Sequence, residues 1–301
     1  MVKQVVVENL IKDFNGIRAV DGISFEVEDK EIFGLLGPNG AGKTTTIMIL
    51  VTLLKPTSGK AFVAGYDVLK NPSAVRKNIG VVFQETTLDL ELTARENLDF
   101  HARLYGLSKS EREKRINKVL ELVDLQDKAD EVVKNFSGGM KRRLEIARGF
   151  IHSPKVLFLD EPTLGLDAHT RRKIWKYIEE LRERDVTIFL TTHYIEEAEK
   201  LCDRVAIMNR GKIIANDKPK NLIETNKNTV IITGYGFENA LEDLRHFEYV
   251  VYENELRIFL ERCEEVLPKI LQILYKNNVE VKSISIKKPS LEDVFVELTK
   301  Q

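Results

Sequence analysis

The sequence predicts an α/β fold built around a phosphate-binding loop, with a small α+β domain after it. Three observations predict it. The stretch Gly37-Pro38-Asn39-Gly40-Ala41-Gly42-Lys43-Thr44 fits the G-x-x-x-x-G-K-[ST] pattern, between a short apolar run at 31–36 and a helix-periodic segment at 45–54. A second apolar run at 155–159 ends in two adjacent carboxylates, Asp160 and Glu161. Beyond residue 228 the pattern restarts as β-α-β-β-α-β, the ferredoxin-like order.

Bulk composition bounds the possibilities. A chain of 301 residues allows roughly two domains and a sizeable core. Its 46 Lys and Arg against 47 Asp and Glu leave no basic excess for non-specific nucleic-acid binding. Cys202 and Cys263 sit in no metal-like or redox spacing and form no disulfide framework, which fits a reducing cytosol. The first residues, Met1-Val2-Lys3-Gln4-Val5-Val6-Val7, are too few and too quickly charged for a signal peptide. No apolar run has bilayer-spanning length, so any membrane role is expected to come through a partner.

Taken in order, residues 3–8 and 23–28 alternate as strands, and Asn15-Gly16 marks the turn between them. Phe14, just before that turn, either plugs the end of the hairpin or stacks on a nucleotide base. In the glycine loop, backbone N–H groups close around phosphate oxygens and the following helix adds a favourable dipole. Lys43 is expected to reach the β- and γ-phosphates, and the Thr44 hydroxyl to ligate Mg²⁺. Thr45 leads into a helix with Ile47, Leu50, Val51 and Leu54 on one face. Lys55-Pro56-Thr57-Ser58-Gly59 breaks the chain, and 61–63 is a short strand. Residues 79–83 suit a buried strand, and Gln84 follows at its C-terminal end, where open α/β sheets place ligand-contacting groups.

Residues 87–152 turn helical. Thr93 to Glu96 is a capping box whose helix runs to Tyr105 and stops at Gly106. Ser108 to Glu111 is a second, opening a helix with Ile116, Val119, Leu120 and Val123 on one face. Ser137-Gly138-Gly139 precedes a third helix with Leu144, Ala147 and Ile151 inward. It is either a plain cap or a second anion site at a helix N-terminus. Lys141, Arg142 and Arg143 read as a solvated basic face.

After the strand at 155–159, Asp160 is expected to hold Mg²⁺ through its water shell, and Glu161 to orient and deprotonate an attacking water. Residues 163–167 form a loop, and 169–184 a helix with Ile174, Ile178 and Leu181 inward. The strand at 186–190 ends in Thr191-Thr192-His193; His193 is structural or catalytic. Residues 205–208 and 212–215 make a closing hairpin around Asn209-Arg210-Gly211. The polar stretch 216–228 reads as a linker, placing the P-loop core at 1–220, the linker proper at 221–228 and an accessory domain at 229–301. That domain is expected to hold strands at 229–233, 248–252, 255–260 and 279–287, helices at 237–247 and 264–277, and a last helix capped at Ser290-Leu291-Glu292-Asp293.

Over about residues 3–220 this set resembles the nucleotide-binding subunit of an ABC transporter. Residues 37–45, Thr45 included, look like its Walker A motif, and 156–161 like Walker B with the catalytic Glu161. Ser137-Gly138-Gly139-Met140 resembles the signature Leu-Ser-Gly-Gly-Gln, with Phe136 and Met140 replacing the Leu and Gln. Gln84 matches the Q-loop, 164–167 the D-loop and His193 the switch histidine. Phe14 matches the aromatic that stacks on adenine. Leu164 departs from the usual Ser and puts one polar contact in doubt. The C-terminal Lys288-Pro289-Ser290-Leu291-Glu292-Asp293-Val294-Phe295 resembles the tail of the drug- and antibiotic-export branch typified by daunorubicin-resistance ATPases.

The resemblance implies a RecA-like P-loop NTPase core with an antiparallel β subdomain and a helical subdomain. It implies ATP and Mg²⁺ as ligands, with Thr44, Gln84 and Asp160 around the metal and Ser137, Gly138 and Gly139 facing a γ-phosphate. It further implies a head-to-tail dimer, with a second copy or another ABC ATPase, that drives a separate permease from the cytoplasmic face of the membrane. The alternative is a soluble ABC ATPase that serves as a nucleotide-gated binding module. Such proteins usually carry a long coiled coil or tandem ATPase units, and this chain shows neither.

Overall fold

Short runs of apolar β-formers make most of the strands, and the glycine and asparagine turns between them set the connections. The computed structural model describes residues 2–224, 227–261 and 263–299. It divides into two compact units, Met1–Lys218 and Pro219–Gln301.

In the first unit, β1 (Lys3–Phe14) and β2 (Ile17–Glu28) form a hairpin. Both strands are longer than the alternation predicts, because register shifts at Val7/Leu10 and Leu10/Lys12 interrupt the period of two without ending the pairing. Asn15 and Gly16 turn the chain with φ of 44° and 89°, the positive values a two-residue hairpin turn requires. With β4 (Ser58–Val63) and β5 (Tyr66–Asp67) they make an antiparallel sheet ordered β2-β1-β4-β5.

The second sheet carries the site. Its order is β10-β9-β3-β8-β7-β6. β3 (Ile32–Leu36), β6 (Ile79–Val82), β7 (Val156–Asp160), β8 (Thr187–Thr192) and β9 (Arg204–Asn209) are parallel, and β10 (Lys212–Asp217) returns antiparallel at one edge. The register pairs Leu36 with Thr192, Asp160 with Thr191, and Val82 with Leu159. The carboxyl ends of β3, β8, β7 and β6 are therefore level. Between the two sheets Phe25, Phe33, Phe158 and Phe189 pack with ring centroids 5.3 to 5.8 Å apart, which adds aromatic contact to a wholly apolar centre.

Helices α1 (Lys43–Leu50) and α2 (Pro72–Asn78) flank this core. α1 ends earlier than its pattern predicts, as Thr52 turns to φ 69°. α2 escapes the sequence reading, although Pro72 at its first position is a start signal. The helical lobe consists of α3 (Ala94–Leu104), α4 (Lys109–Leu122) and α5 (Gly138–Phe150). Thr93 and Ser108 form the two expected capping boxes, each stabilising its helix by about 1 kcal/mol. α6 (Ala168–Arg182) and α7 (Ile195–Leu201) complete the unit.

Where α3 meets the end of α5, the Tyr105 and His152 rings stack at 3.6 Å, with His101 beside them. His152 Nε2 lies 2.9 Å from the Ile79 carbonyl, so Nε2 carries the proton, and Nδ1 has no partner among the described residues. Burial, with Arg148 near His101 and Arg115 near His152, holds both imidazoles down to about 4. Arg76 and Lys77 face the same groove and add no negative charge. The unfolded chain titrates near 6.5, so it takes up more protons than the folded chain between pH 6.5 and 4. Stability is therefore expected to fall as pH drops through that window, by roughly 1 kcal/mol per pH unit per ring. Melting temperatures at pH 7.5 and 5.0 check it: His152→Phe, which keeps the stack, should flatten the slope, and an unchanged slope would refute the assignment.

In the second unit α8 (Pro219–Glu224) comes first. This corrects the linker expectation: part of that polar stretch is helical, because Leu222 finds a burial partner in the unit and Pro219 suits a helix start. Thr225 and Asn226 of the expected linker lie outside the described residues, as do Arg262, Lys300 and Gln301 of the expected accessory domain. β11 (Asn228–Tyr235), β12 (Glu248–Tyr252), β13 (Glu255–Leu260) and β14 (Glu280–Lys287) form an antiparallel sheet ordered β12-β13-β11-β14. The expected helix at 237–247 is a 3₁₀ turn, Phe237–Ala240, followed by one α turn, α9 (Leu241–Leu244). With α10 (Cys263–Lys276) these cover one face of the sheet, burying Val230, Ile232, Leu256 and Ile258 under Leu244, Ile270 and Leu274. α11 (Leu291–Thr299) packs with α8.

Candidate nucleotide site

The loop after β3 is held open by its glycines. Gly42 caps α1 at φ 106°, and a Cβ there would lie 2.3 Å from the Ala19 carbonyl oxygen. A Cβ on Gly37 would lie 2.3 Å from that of Met208. No other residue fits either place. At the N-cap Gly42 has no side chain, so the first N–H groups of α1 point into the loop with the positive end of the helix dipole. Pro38, Asn39, Gly40 and Ala41 form the rim of this ring, closed by Ala41 N–H donating to the Pro38 carbonyl at 3.2 Å.

Lys43 is 4% exposed. Its Nζ donates to the Gly37 carbonyl at 2.8 Å and the Pro38 carbonyl at 3.2 Å, and stands 3.4 Å from Glu161 Oε1. The other Glu161 oxygen is 2.8 Å from His193 Nδ1. A continuous chain Lys43–Glu161–His193 thus spans β3, β7 and β8. Glu161 is bent to φ 47° immediately after its strand, a strained conformation for a non-glycine residue. Its N–H, donating to Thr191 at 3.1 Å, holds it there.

Asp160 is buried, and Oδ1 accepts from Thr191 Oγ1 at 2.5 Å and Thr44 Oγ1 at 3.3 Å. Burial raises its pKa, opposed by these two hydroxyls. Thr44 and Asp160 therefore present oxygen donors to one point at the mouth of the loop, the hard-ligand chemistry that suits Mg²⁺. Thr45 follows in the first turn of α1. Gln84 is exposed two residues past β6, level with Glu161 by the Val82–Leu159 register.

Phe14 is 42% exposed, with Lys12 Nζ 4.8 Å from its ring centroid. Its ring is thus partly exposed at the end of the hairpin, beside the Asn15–Gly16 turn. The hairpin leans on the glycine loop: Asp21 N–H donates to the Gly211 carbonyl at 2.8 Å, and Gly211 N–H to the Ala41 carbonyl at 3.0 Å.

Ser137 caps α5 by accepting from Met140 N–H at 3.3 Å. A Cβ on Gly139 would come within 2.5 Å of Thr170 Cγ2, whereas one on Gly138 would meet open space. The structure does not bring these three residues to their own glycine loop. α5 packs beside β6, three strand spacings from β3, or about 14 Å across the sheet.

The basic run after Ser137 needs correction. Arg142 is 7% exposed rather than solvated. It donates to the carbonyls of Phe83, Asp160, Glu161 and Pro162. Two more groups escaped the sequence reading. Thr191 donates to the Asp160 carboxylate and accepts from the Glu161 N–H, and Glu197, buried on α7, accepts from Thr163 at 2.8 Å and from Trp175 at 2.9 Å. Desolvation raises the Glu197 pKa. A glutamate inside an otherwise amphipathic segment gives no signal of burial, because its partners are 22 and 34 residues away.

Comparison with known proteins shows the family and the fold. The model of the family described as ABC transporter matches residues 20–164, and that of the ATP-binding protein DrrA1-3-like C-terminal domain matches 220–299. The chain is 38% identical to the Linearmycin resistance ATP-binding protein LnrL of Bacillus subtilis (strain 168) over 97% of each chain. It is 36% identical to the Daunorubicin/doxorubicin resistance ATP-binding protein DrrA of Streptomyces peucetius, over 96% of this chain and 90% of that one. Nod factor export ATP-binding protein I of Rhizobium sp. (strain N33) is 40% identical over 96% and 94%. Among solved structures, an ATP-binding subunit of an ABC transporter superposes with TM-score 0.67 at 29% identity, covering 74% of this chain and 92% of that one. An ATP-binding cassette in a dimeric post-hydrolysis state, bound to ADP and Pi, gives 0.65 at 28%, covering 71% and 98%.

Proposed function

The chain belongs to the ATP-binding proteins of ABC transporters, and from that premise we propose that it is the ATP-hydrolysing half of an exporter whose membrane part is a separate permease. The relatives named for drug resistance and Nod factor export support this reading. So does the absence, among the described residues, of any helix long and apolar enough to cross a membrane. The protein would then sit at the cytoplasmic face, held by the permease. No basic surplus suggests nucleic acid as a partner.

The residues divide the work as follows. The amides of 37–45 and the Lys43 ammonium bind the phosphates, and Phe14 offers its exposed face to adenine. Thr44 and Asp160, with Gln84 at the rim, would hold Mg²⁺. The metal, when bound, neutralises charge between the β- and γ-phosphates. Glu161 takes the proton of the attacking water through a carboxylate oxygen, and His193 orients that carboxylate through Nδ1.

Ser137, Gly138 and Gly139 complete the site of another copy. The single observation that supports this is their placement: Ser137 and Gly138 are exposed at the capped N-terminus of α5, a helix that packs beside β6, three strands away from the β3 that carries their own loop. Two chains packed head to tail satisfy both half-sites at once, with ATP between them.

Mixing variants tests it. Lys43→Ala retains Ser137–Gly139, and Gly138→Asp retains the glycine loop; Gly138 has open space, so an added side chain disturbs nothing in its own chain. Each variant alone should be inactive. A 1:1 mixture forms half heterodimers with one sound site of two, so turnover should rise above that of either variant alone, to at most about a quarter of the wild-type rate. No recovery on mixing would refute the shared site.

A further inference from the structure

Arg142 lies one turn along α5 from Ser137–Gly139, and every donor it owns is used. A guanidinium has five N–H groups. Nε donates to the Pro162 carbonyl at 2.7 Å. Nη1 donates to the Phe83 carbonyl at 2.5 Å and to Glu145 Oε2 at 3.1 Å. Nη2 donates to the carbonyls of Asp160 at 2.9 Å and Glu161 at 3.0 Å. A buried cation is tolerated only when paired and fully hydrogen-bonded, and here both conditions are met. The planar fork leaves no slack between the groups it joins.

The same helix grips the loop that carries Gln84 at its far end. Glu145 Oε1 accepts from Thr87 N–H at 2.9 Å, and Arg148 donates to the Thr87 carbonyl at 2.7 Å. α5, the loop at 83–87 and the segment 160–162 are therefore fastened as one body, with Arg142 at its centre.

We propose that Arg142 is a positioning residue that links the two nucleotide sites of the dimer. The inference rests on the head-to-tail reading above. In that dimer, α5 of one chain touches the ATP bound by its partner. Arg142 passes any displacement of α5 to the backbone of Glu161 in its own chain, which serves the other ATP. Seating one γ-phosphate thus sets the carboxylate at the second site.

Arg142→Lys tests this in the full-length chain. Lysine keeps the charge and loses the fork. ATP affinity, measured by equilibrium binding, should stay within about 2-fold, since no nucleotide contact is removed. The turnover rate should fall about 10- to 100-fold, the scale of an ångström-sized misplacement of a catalytic group. The Hill coefficient for ATP, between about 1 and 2 for two coupled sites, should drop to 1. Wild-type turnover with unchanged cooperativity would overturn the proposal. So would an equal loss of ATP binding and turnover with a lowered melting temperature, which would reduce Arg142 to packing. Should the lysine variant not fold, Glu145→Gln removes the countercharge and keeps an acceptor for Thr87. It should lower turnover at normal ATP affinity, and a wild-type rate there would equally overturn the link. Sedimentation with Mg-ATP keeps the two readings apart. ATP-dependent dimers that Gly138→Asp abolishes, together with a fully active Arg142→Lys, would leave the shared site standing and remove the link; no ATP-dependent dimer would remove both.

Discussion

Glu161→Gln is expected to lower ATP turnover by about 10²- to 10⁴-fold, the usual contribution of a general base, or about 3–5 kcal/mol of barrier. ATP binding should persist. The amide has nearly the shape of the carboxylate, keeps one oxygen for His193, and removes a negative charge 3.4 Å from Lys43 Nζ. Phosphate binding loses a competitor for that ammonium. With cleavage blocked and ATP retained, the variant should accumulate as an ATP-bound dimer. Sedimentation with and without Mg-ATP, beside a steady-state ATPase assay, reads both consequences. Turnover at the wild-type rate would remove Glu161 from its proposed role.

Lys43→Ala should act on the other quantity. Lys43 is a buried cation held by two loop carbonyls and one carboxylate. Truncating it withdraws the only formal charge placed to meet the terminal phosphates among the loop residues 37–45. Losing one partner of a desolvated charge pair costs about 2–4 kcal/mol, a ~30- to ~1,000-fold weaker affinity. It also leaves Glu161 facing the phosphates without a countercharge. Titration with a fluorescent ATP analogue measures the loss directly. Normal affinity in this variant would undo the assignment of the glycine loop, and with it the meaning of every distance around Asp160 and Glu161.

What the sequence discloses depends on how far apart the partners lie. The glycine loop, the two capping boxes and the carboxylates after β7 are local: each is written within about ten residues. Their backbone conformations follow from residue type, and the structure shows each in place. Strand ends were legible only where alternation was unbroken. β1 and β2 run on through irregular register, which hides their true length. α2, α7 and α8 are of seven, seven and six residues, too short to display a helical period. Arg142 was hidden for another reason. Its acceptors are carbonyls 18 to 59 residues away, and a carbonyl has no letter in a sequence. Lysine and arginine neighbours on either side made solvent the natural expectation. Phe14 shows the reverse: its letter leaves two readings open, and its partial exposure is compatible with the stacking role proposed for it.

That the Arg142 fork grips backbone oxygens has a bearing on how such a protein can drift over generations. Substitution at Phe83, Pro162 or their neighbours exchanges side chains but keeps the carbonyl groups, so the junction tolerates changes of letter that hold the chain's path. The restriction falls on position 142, whose guanidinium no other residue type can imitate, and on Glu145, its countercharge. A lineage is free to vary most of the wall around the junction while two positions, three residues apart on one helix, stay fixed together.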